Sequence, residues 1–449
     1  MRALRWILGG VAVVVVLAVL AIAIGAAWLN TYIHSDAFKV EVESRAASSL
    51  GGTVKIGKID FNVFTGVKLQ GLVTQIDSAP AIGQGMLGVT VTNVTCTYTW
   101  TELLHRRLRL TGVTLDQPQF ILNKEITAPV TAQALPGAMD SGAMQGEGTA
   151  LPFQFILDQV RINNGSVSVQ DGPSKSLGGL TGIDMDANTS GYSEGKDITG
   201  TLKIADIAMP PNWHVTRFST PFTYNPAKGG FAASPFAASA YGGNLAGDFQ
   251  PRPSQASILN LNGKGVDVSQ LTSAMTSNSS AKLTGTLDFQ STWIENGDRN
   301  AEGDFQLTDG KLEGVKMLQE IGQVLKVKEL EEPIIKKAQS HFIVLNWGQT
   351  QLTSLQIQSS IFSITGGGTI NFDGPLNLDL VLILTRDAMN KLPSAVAASF
   401  VKQQDGTGTI AFHVSGTMSD PQTDLPQRLL MQNTQIQNVL NKAINKLFH

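Results

Sequence analysis

Short runs of alternating apolar and polar residues fill most of this 449-residue sequence beyond its first fifty residues. Leu108–Leu122 is one such run, and Phe153–Asp171 is another. Alternation over about 4 to 8 residues between Gly, Asn or Asp predicts strands with one buried face. Turn dipeptides recur between the runs and suit hairpins that need positive φ, namely Asn164-Gly165, Asp171-Gly172, Asn262-Gly263, Asp309-Gly310 and Asp373-Gly374. The pattern predicts a mostly β body with an antiparallel, largely meandering sheet.

An uninterrupted apolar run, Ile7–Ala27, precedes this body. A bilayer core of about 30 Å needs about 20 helical residues, so the run predicts a transmembrane helix. Trp6 and Trp28 flank it, as expected for aromatic rings at the headgroup layer, and Arg2 and Arg5 lie just before it. The positive-inside rule therefore predicts a cytoplasmic N-terminus and a body on the other side of the membrane.

A cleaved signal peptide is the alternative to this anchor, since Gly25 and Ala27 are small enough for a cleavage site. The run is longer than the usual apolar region of about 7 to 15 residues in signal peptides, which favours the anchor.

Helical signals are few. We predict an amphipathic helix between Ser35 and Gly51, a short one in Trp100–Arg106, and a third in Gly314–Val327. The predicted segments in chain order are a cytoplasmic N-terminus (1–5), the anchor (6–29), a first β region (30–126), a flexible Ala/Gly-rich insertion (127–150), a middle β region (151–250), a C-terminal β region with its helix near 314–328 (251–424), and an amphipathic helix (425–449).

Several functional classes lack support in the residues. The net charge of −3 provides no basic stripe for nucleic acid. The single Cys96 and scattered histidines do not build a metal site, and the serines lack the Gly-x-Ser-x-Gly pattern. Asp184 and Asp186 are two carboxylates on one side of an extended chain, which fits a solvated strand face. We therefore predict no enzyme, no cofactor, no metal and no nucleic-acid partner.

The stretch Ile364–Leu384 contains three consecutive glycines, which raises the question of a phosphate-binding loop. A phosphate loop requires a lysine after its last glycine and a helix to follow. Here leucines at a period of two follow instead, so we predict a strand, a turn at Asp373-Gly374-Pro375 and a second strand.

The order of motifs resembles the AsmA family of bacterial envelope proteins. After the anchor come LGGTVKIGKIDFNVFTGVKLQGL, RLRLTGVTLDQPQFIL, ILDQVRINNGSVSVQDG, ASAYGGNLAGDF, EGDFQLTDGKLEGVKMLQEIGQVL and VSGTMSDPQTDLP, which are similar to successive family elements over nearly the whole chain. The resemblance implies an inner-membrane protein with a periplasmic body, kinship with bridge-like lipid-transfer proteins, and a role in outer-membrane biogenesis. Its implied partners are phospholipid or another envelope lipid, the inner membrane and outer-membrane assembly proteins.

The predicted fold is therefore mostly β, with one N-terminal transmembrane helix, a long curved antiparallel sheet with an apolar groove, and few short amphipathic helices. Physical reasoning also supports a groove, because a sheet with one apolar face must either cover that face or use it for binding. The candidate groove residues are Phe153, Phe155, Leu157, Ile370, Phe372, Leu376, Leu378, Leu380, Leu382 and Leu384.

The leading hypothesis is passive lipid binding or transfer, in which acyl chains lie on the apolar face. Val381 and Ile383 on the other side of the leucine strand leave open whether that strand is core. The alternative is a non-enzymatic envelope assembly scaffold whose apolar face is filled by its own helices. An envelope hydrolase, a third hypothesis, has no sequence support.

Overall fold

The computed structural model confirms a mostly β protein, with strands making up 72% of the described residues. The chain divides into two compact units, Met1–Ala238 and Ser239–His449. The structure describes residues 36–430 except 51, 63–65, 77–85, 104–106, 124–153, 172–175, 193–194, 211, 226–229, 251–255, 276–281, 295–298, 316–318, 320–321, 323–326, 328, 330, 347, 372–373 and 418–419.

The strands of the first unit are mostly 10 to 13 residues long. In chain order they are β1 Gly52–Asn62, β2 Gly66–Ile76, β3 Met86–Tyr98, β4 Arg107–Asp116, β5 Gln119–Asn123, β6 Gln154–Leu157, β7 Gln159–Gln170, β8 Ser176–Asn188, β9 Ile198–Met209 and β10 Trp213–Asn225. The boundary between the units falls within β11, Gly230–Ala240.

The second unit continues with strands of similar length and ends with two very short ones. They are β12 Gly243–Gln250, β13 Ile258–Asp267, β14 Lys282–Ile294, β15 Arg299–Glu313, β16 Ile334–Leu345, β17 Gln349–Gln358, β18 Phe362–Asn371, β19 Leu376–Leu384, β20 Val401–Lys402, β21 Gly408–Gly416 and β22 Pro421–Thr423.

The named helices of the described residues are short and lie between strands or at the ends of the described chain. They are α1 Asp36–Leu50, α2 Trp100–Leu103, α3 Val268–Met275, α4 Arg386–Lys391, α5 Ser394–Ala397 and α6 Leu425–Leu430. The helix predicted between Ser35 and Gly51 is confirmed. Of the one predicted in Trp100–Arg106, the described part Trp100–Leu103 is helical, whereas α3, α4 and α5 were not predicted from the sequence.

Parallel pairing in the first unit is a correction to the predicted antiparallel sheet. β4 and β5 form one long strand interrupted at Gln117-Pro118, and β6 and β7 form another interrupted at Asp158. The two long strands pair in parallel, with Leu110 opposite Leu157 and Phe120 opposite Val167. Parallel neighbours need a long crossover connection, and residues 124–153, which include the Ala/Gly-rich segment, supply its length.

The other ladders of the first unit are antiparallel, in the order β1–β2–β3 and β7–β8–β9–β10. β3 joins the first set to β4 and β5, also with antiparallel register. The parallel pair therefore lies between two meanders, because its crossover brings β6 and β7 back beside β4 and β5.

Three of the five predicted turn dipeptides lie within strands, which is a second correction. Asn164-Gly165 is inside β7, Asn262-Gly263 inside β13 and Asp309-Gly310 inside β15. The register shifts beside each of them, and Asn164 and Asp309 have φ near +50°. Residues that tolerate positive φ therefore serve bulges here as well as turns, and a bulge keeps the strand continuous.

The core of the first unit is closely packed. The largest fully buried side chains include Leu69, Leu110 and Phe120. Each fully buried side chain of this kind stabilises the fold by about 1.5–3 kcal/mol relative to leaving it exposed. Cys96 lies in the same core, and its burial raises the pKa of the thiol to about 12, so the thiol stays protonated at neutral pH.

Helix α1 packs on β1 through both apolar and polar contacts. Val42 and Ala46 are fully buried in the core of the first unit. Glu43 Oε1 accepts a hydrogen bond from the Ile56 backbone N–H at 2.6 Å, and Lys39 Nζ donates to the Gly57 carbonyl at 3.2 Å. These side chains satisfy backbone groups of a strand whose described ladder partner is β2, so the helix protects a sheet edge.

The second unit is an antiparallel meander. Each strand from β12 to β19 pairs with the next, and β21 pairs with β19. The short strands β20 and β22 pair with the two ends of β21. At His413, between the parts of β21 that pair with β20 and β22, the backbone N–H donates a hydrogen bond to Asp424 Oδ1 at 2.7 Å. The outer edge of β21 is thus covered over most of its length.

Several predicted segments lie outside the described residues. These are the anchor at 6–29, the insertion at 127–150, most of the helix predicted near 314–328 and the C-terminal helix beyond Leu430. Within the described parts of 36–430, no helix combines the length and apolar character needed to span a membrane. The topology determinants Arg2, Arg5, Trp6 and Trp28 also lie outside, so the anchor stays a prediction.

Candidate functional site

The glycine-rich stretch of the sequence forms a hairpin, as predicted. β18 and β19 pair in antiparallel register, and the Gly374 N–H donates to the Asn371 carbonyl in the turn between them. The three glycines lie in the middle of β18, and no helix follows them directly. A phosphate loop is therefore excluded at this place in the fold.

One side of the second unit's sheet carries apolar residues across nine neighbouring strands, β12–β19 and β21. Directly paired residues of antiparallel strands share a face, as in the pairs Leu259–Trp293 and Phe289–Phe305. We name this surface the apolar face and define it by its half-buried members Phe249, Leu259, Leu261, Phe289, Trp293, Phe305, Phe342, Val344, Ile370 and Leu378.

The opposite side of the same strands is polar. Asp304 pairs directly with His341, and its carboxylate lies 3.1 Å from the His341 ring nitrogen. Asp379 and His413 form a similar pair at 3.0 Å. Gln339 donates to Gln356 at 2.9 Å. These pairs join neighbouring strands, and this side is mostly polar, with half-buried Val381 and Ile383 among its apolar members.

Aromatic rings lie across positions of the apolar face that carry no side chain. A β-carbon on Gly263 would come within 2.2 Å of the Phe289 ring. Gly263 is directly opposite Phe289 in the ladder, so the ring occupies the space that a side chain would fill. Trp293 Nε1 donates to Ser291 Oγ at 2.9 Å, which fixes the indole on the same face. Phe289 and Trp293 are both half-buried in these positions.

The apolar face is covered where it reaches the leucine strand. Helices α4, α5 and α6 contribute Met389, Val396 and Leu429 to the buried cluster that contains Leu382 and Leu384. Thr385 caps α4, because its Oγ1 accepts a hydrogen bond from the Ala388 N–H at 3.3 Å. The cap starts the helix immediately after β19, so the chain folds back over its own strand.

The predicted groove residues fall into different environments. Leu376, Leu380, Leu382 and Leu384 are buried in the helix-covered cluster, while Ile370 and Leu378 are half-buried and belong to the apolar face. Leu157 is buried in the core of the first unit. Phe153, Phe372 and the side chain of Phe155 lie outside the described residues.

The leucine strand is apolar mainly on one side. Its other side carries Asn377 and Asp379, which are exposed, and Val381 and Ile383, which are half-buried. A strand buried on both faces would not leave these positions accessible. The strand therefore presents one buried face, and the groove role of its leucines stays a prediction.

The aromatic members of the apolar face were not assigned a role from the sequence. Phe289 and Phe305 lie in the runs KLTGTLDFQ and EGDFQLTDG, which were predicted only as strands. Their period-two spacing was the available signal. This spacing does not show which apolar faces the helices of the chain cover.

The carboxylates of Asp184 and Asp186 both have hydrogen-bond partners in the fold. Asp184 Oδ1 accepts a hydrogen bond from the Asn164 N–H at 2.8 Å, and Asp186 binds Gln159 at 2.7 Å and Arg161 at 3.0 Å. The Gln159 hydrogen bond is the main reason that the pKa of Asp186 is lowered. Both carboxylates thus serve the β7–β8 ladder.

Metal-binding clusters of three or more His, Cys, Asp or Glu side chains are absent among the residues that the structure describes. A scan of the sequence against protein-family models gives no match, and a search of curated proteins gives none either. The resemblance to the AsmA family therefore stays a prediction from the order of the sequence motifs.

Proposed function

We propose that this protein binds lipid acyl chains on the apolar face of its second unit. The observation that carries the proposal is the row of half-buried aromatic and aliphatic side chains from Phe249 to Leu378, on a sheet whose other side is polar. Contiguous apolar surface that stays partly exposed marks a binding site. Each buried CH₂ of an acyl chain contributes about 0.8 kcal/mol.

The width of the face suits several lipids side by side. Nine strands at ~4.8 Å spacing give a surface of about 40 Å along the direction perpendicular to the strands. Several lipids would lie side by side along this direction, each with its acyl chains parallel to the strands and its headgroup at the strand ends in water. Binding in this way requires no chemistry from side chains, so the protein acts without catalysis.

The proposed setting follows from the sequence. We propose that residues 6–29 anchor the chain in the bacterial inner membrane, with the body in the periplasm. There it would carry phospholipid or another envelope lipid in support of outer-membrane biogenesis. The apolar run and the AsmA resemblance support this placement.

A scaffold that binds other envelope proteins is the second proposal. It is favoured by the helix-covered part of the face, where Leu425 and Leu429 of α6 and Val327 pack into the same buried cluster as the leucine strand. A face completely filled by its own helices would leave no room for lipid. The half-buried residues from β12 to β16 favour lipid binding over this alternative.

A photo-crosslinking experiment tests the two proposals. We place p-benzoylphenylalanine at Phe342 on the apolar face or at Gln351, which is exposed on the polar side of the neighbouring strand. After irradiation of cells expressing the full chain, mass spectrometry is expected to show a phospholipid adduct from position 342. The same probe at position 351 is expected to give none, because water covers that side.

Two results would count against lipid binding. Absence of any lipid adduct at position 342, together with absence of co-purified lipid, would overturn it. Protein adducts at position 342 in place of lipid would support the scaffold.

A further inference from the structure

A buried hydroxyl on the apolar face has no hydrogen-bond partner among the residues that the structure describes. It belongs to Thr350, which is 9% exposed. The register places Thr350 between Val344 and Ile370, two members of the apolar face. Leaving a buried hydroxyl without a partner is unfavourable, so such a group calls for an explanation.

The other buried hydroxyls on this face do have partners. Ser291 donates to the Leu261 carbonyl at 3.3 Å and accepts from Trp293 Nε1. Ser340 donates to the Thr353 carbonyl at 2.9 Å. Among the described residues the chain thus satisfies two buried hydroxyls of the apolar face, whereas that of Thr350 has no partner.

The position of Thr350 indicates what that group is. It is the second residue of β17, so it lies near the strand ends rather than at the middle of the face. A lipid with its tails on the apolar face would have its headgroup in water beyond the strand ends. The ester linkages join the two parts and would therefore lie close to Thr350.

We propose that the Thr350 hydroxyl donates a hydrogen bond to an ester carbonyl of a bound glycerolipid, and that it makes the site selective for ester-linked lipids. This inference rests on the proposed lipid-binding function. An ester carbonyl is a hydrogen-bond acceptor, whereas the ether analogue has no carbonyl. One such bond is expected to change the dissociation constant about three- to tenfold.

The test compares two lipids and three variants of the full chain. Delipidated protein is titrated with a diacyl phosphatidylethanolamine and with its dialkyl-ether analogue of equal chain length. Wild type and Thr350→Ser are expected to bind the ester lipid about three- to tenfold more tightly. Thr350→Val is expected to bind both lipids with the affinity that wild type has for the ether.

Thr74→Val provides a matched control. Thr74 is 1% exposed in the first unit, and its hydroxyl is likewise without a partner among the described residues. Its substitution removes an orphaned hydroxyl away from the apolar face, so the ester preference is expected to stay as in wild type.

The outcomes separate this inference from the proposed function. If wild type binds both lipids equally, or Thr350→Val keeps the ester preference, the role of Thr350 is overturned while lipid binding stands. If wild type binds neither lipid, the proposed function fails, and this inference fails with it.

Discussion

At the scale of single residues, the glycines of β18 show why this strand needs residues without side chains. Gly366 and Gly368 have φ of +150° and +145°, which side chains rarely allow. A β-carbon on Gly368 would lie 2.1 Å from the Asn377 carbonyl oxygen of β19. The glycines therefore permit close approach of the two backbones.

Substitution of Gly368 by alanine is expected to destabilise the second unit by about 3 kcal/mol or more, since backbone strain and the clash with β19 both contribute. Gly265→Ala is the matched control. Its φ of +70° is also positive, but nothing lies within 4 Å of the added carbon. It should cost only about 1–2 kcal/mol. The free energy of unfolding in urea measures both, and equal losses would contradict the role of the close approach.

At the scale of elements, helix α3 begins through the side chain of Asp267 at the end of β13. Its Oδ1 accepts hydrogen bonds from the Ser269 N–H at 2.8 Å and from the Gln270 N–H at 3.2 Å. The Ser269 hydroxyl donates to the same oxygen at 2.6 Å. A side-chain cap of this kind satisfies donors that a helix start leaves free, which explains how a helix follows a strand without a loop.

The cap makes α3 sensitive to acid. The Ser269 hydrogen bond is the main cause that lowers the pKa of Asp267 below its ordinary value of 3.8. The ionised form is therefore favoured in the folded state, and its stabilisation is present above about pH 4. It is lost as the pH falls through the lowered pKa.

The variants Asp267→Ala and Asp267→Asn test this cap. Asp267→Ala is expected to cost about 1 kcal/mol at pH 7. Asp267→Asn should keep most of the stability at pH 7, because asparagine also caps helices, and should lose less on acidification than wild type. Urea unfolding at pH 7 and pH 3 measures this. An acid response of Asp267→Asn equal to that of wild type would refute the role of the carboxylate.

At the scale of the whole molecule, the two units treat their apolar surface differently. In the first unit Leu110 and Leu115 are at 0% exposure, although Phe61, Phe218 and Phe231 are only partly buried against the same core. In the second unit Phe305 and Phe342 are half-buried and pack against the cluster that contains the leucine strand and its helices. The deepest part of the first unit's core is therefore more completely buried than most of the second unit's core.

Lipid is therefore expected to protect the second unit selectively. In hydrogen–deuterium exchange of the delipidated full chain, added phosphatidylethanolamine should slow exchange in β13–β17. The slowing can reach about 100-fold at a concentration 100 times the dissociation constant. The strands β1–β5 serve as an internal control and should be unchanged. Protection confined to the first unit would contradict the assignment of the site.

The sequence by itself determined the strand content, the helix Asp36–Leu50, the hairpin of Ile364–Leu384 and the one-sided polarity of the strands, because these depend on local periodicity and turn chemistry. Only the tertiary structure decided which dipeptides form bulges and which form turns. A residue with positive φ suits both, and the pairing with the partner strand selects one of them. It also decided the parallel pairing of the strands around residues 124–153. Lastly, it decided that helices cover Leu382 and Leu384 while Phe305 and Phe342 stay half-buried, because burial depends on contacts between residues far apart in the chain.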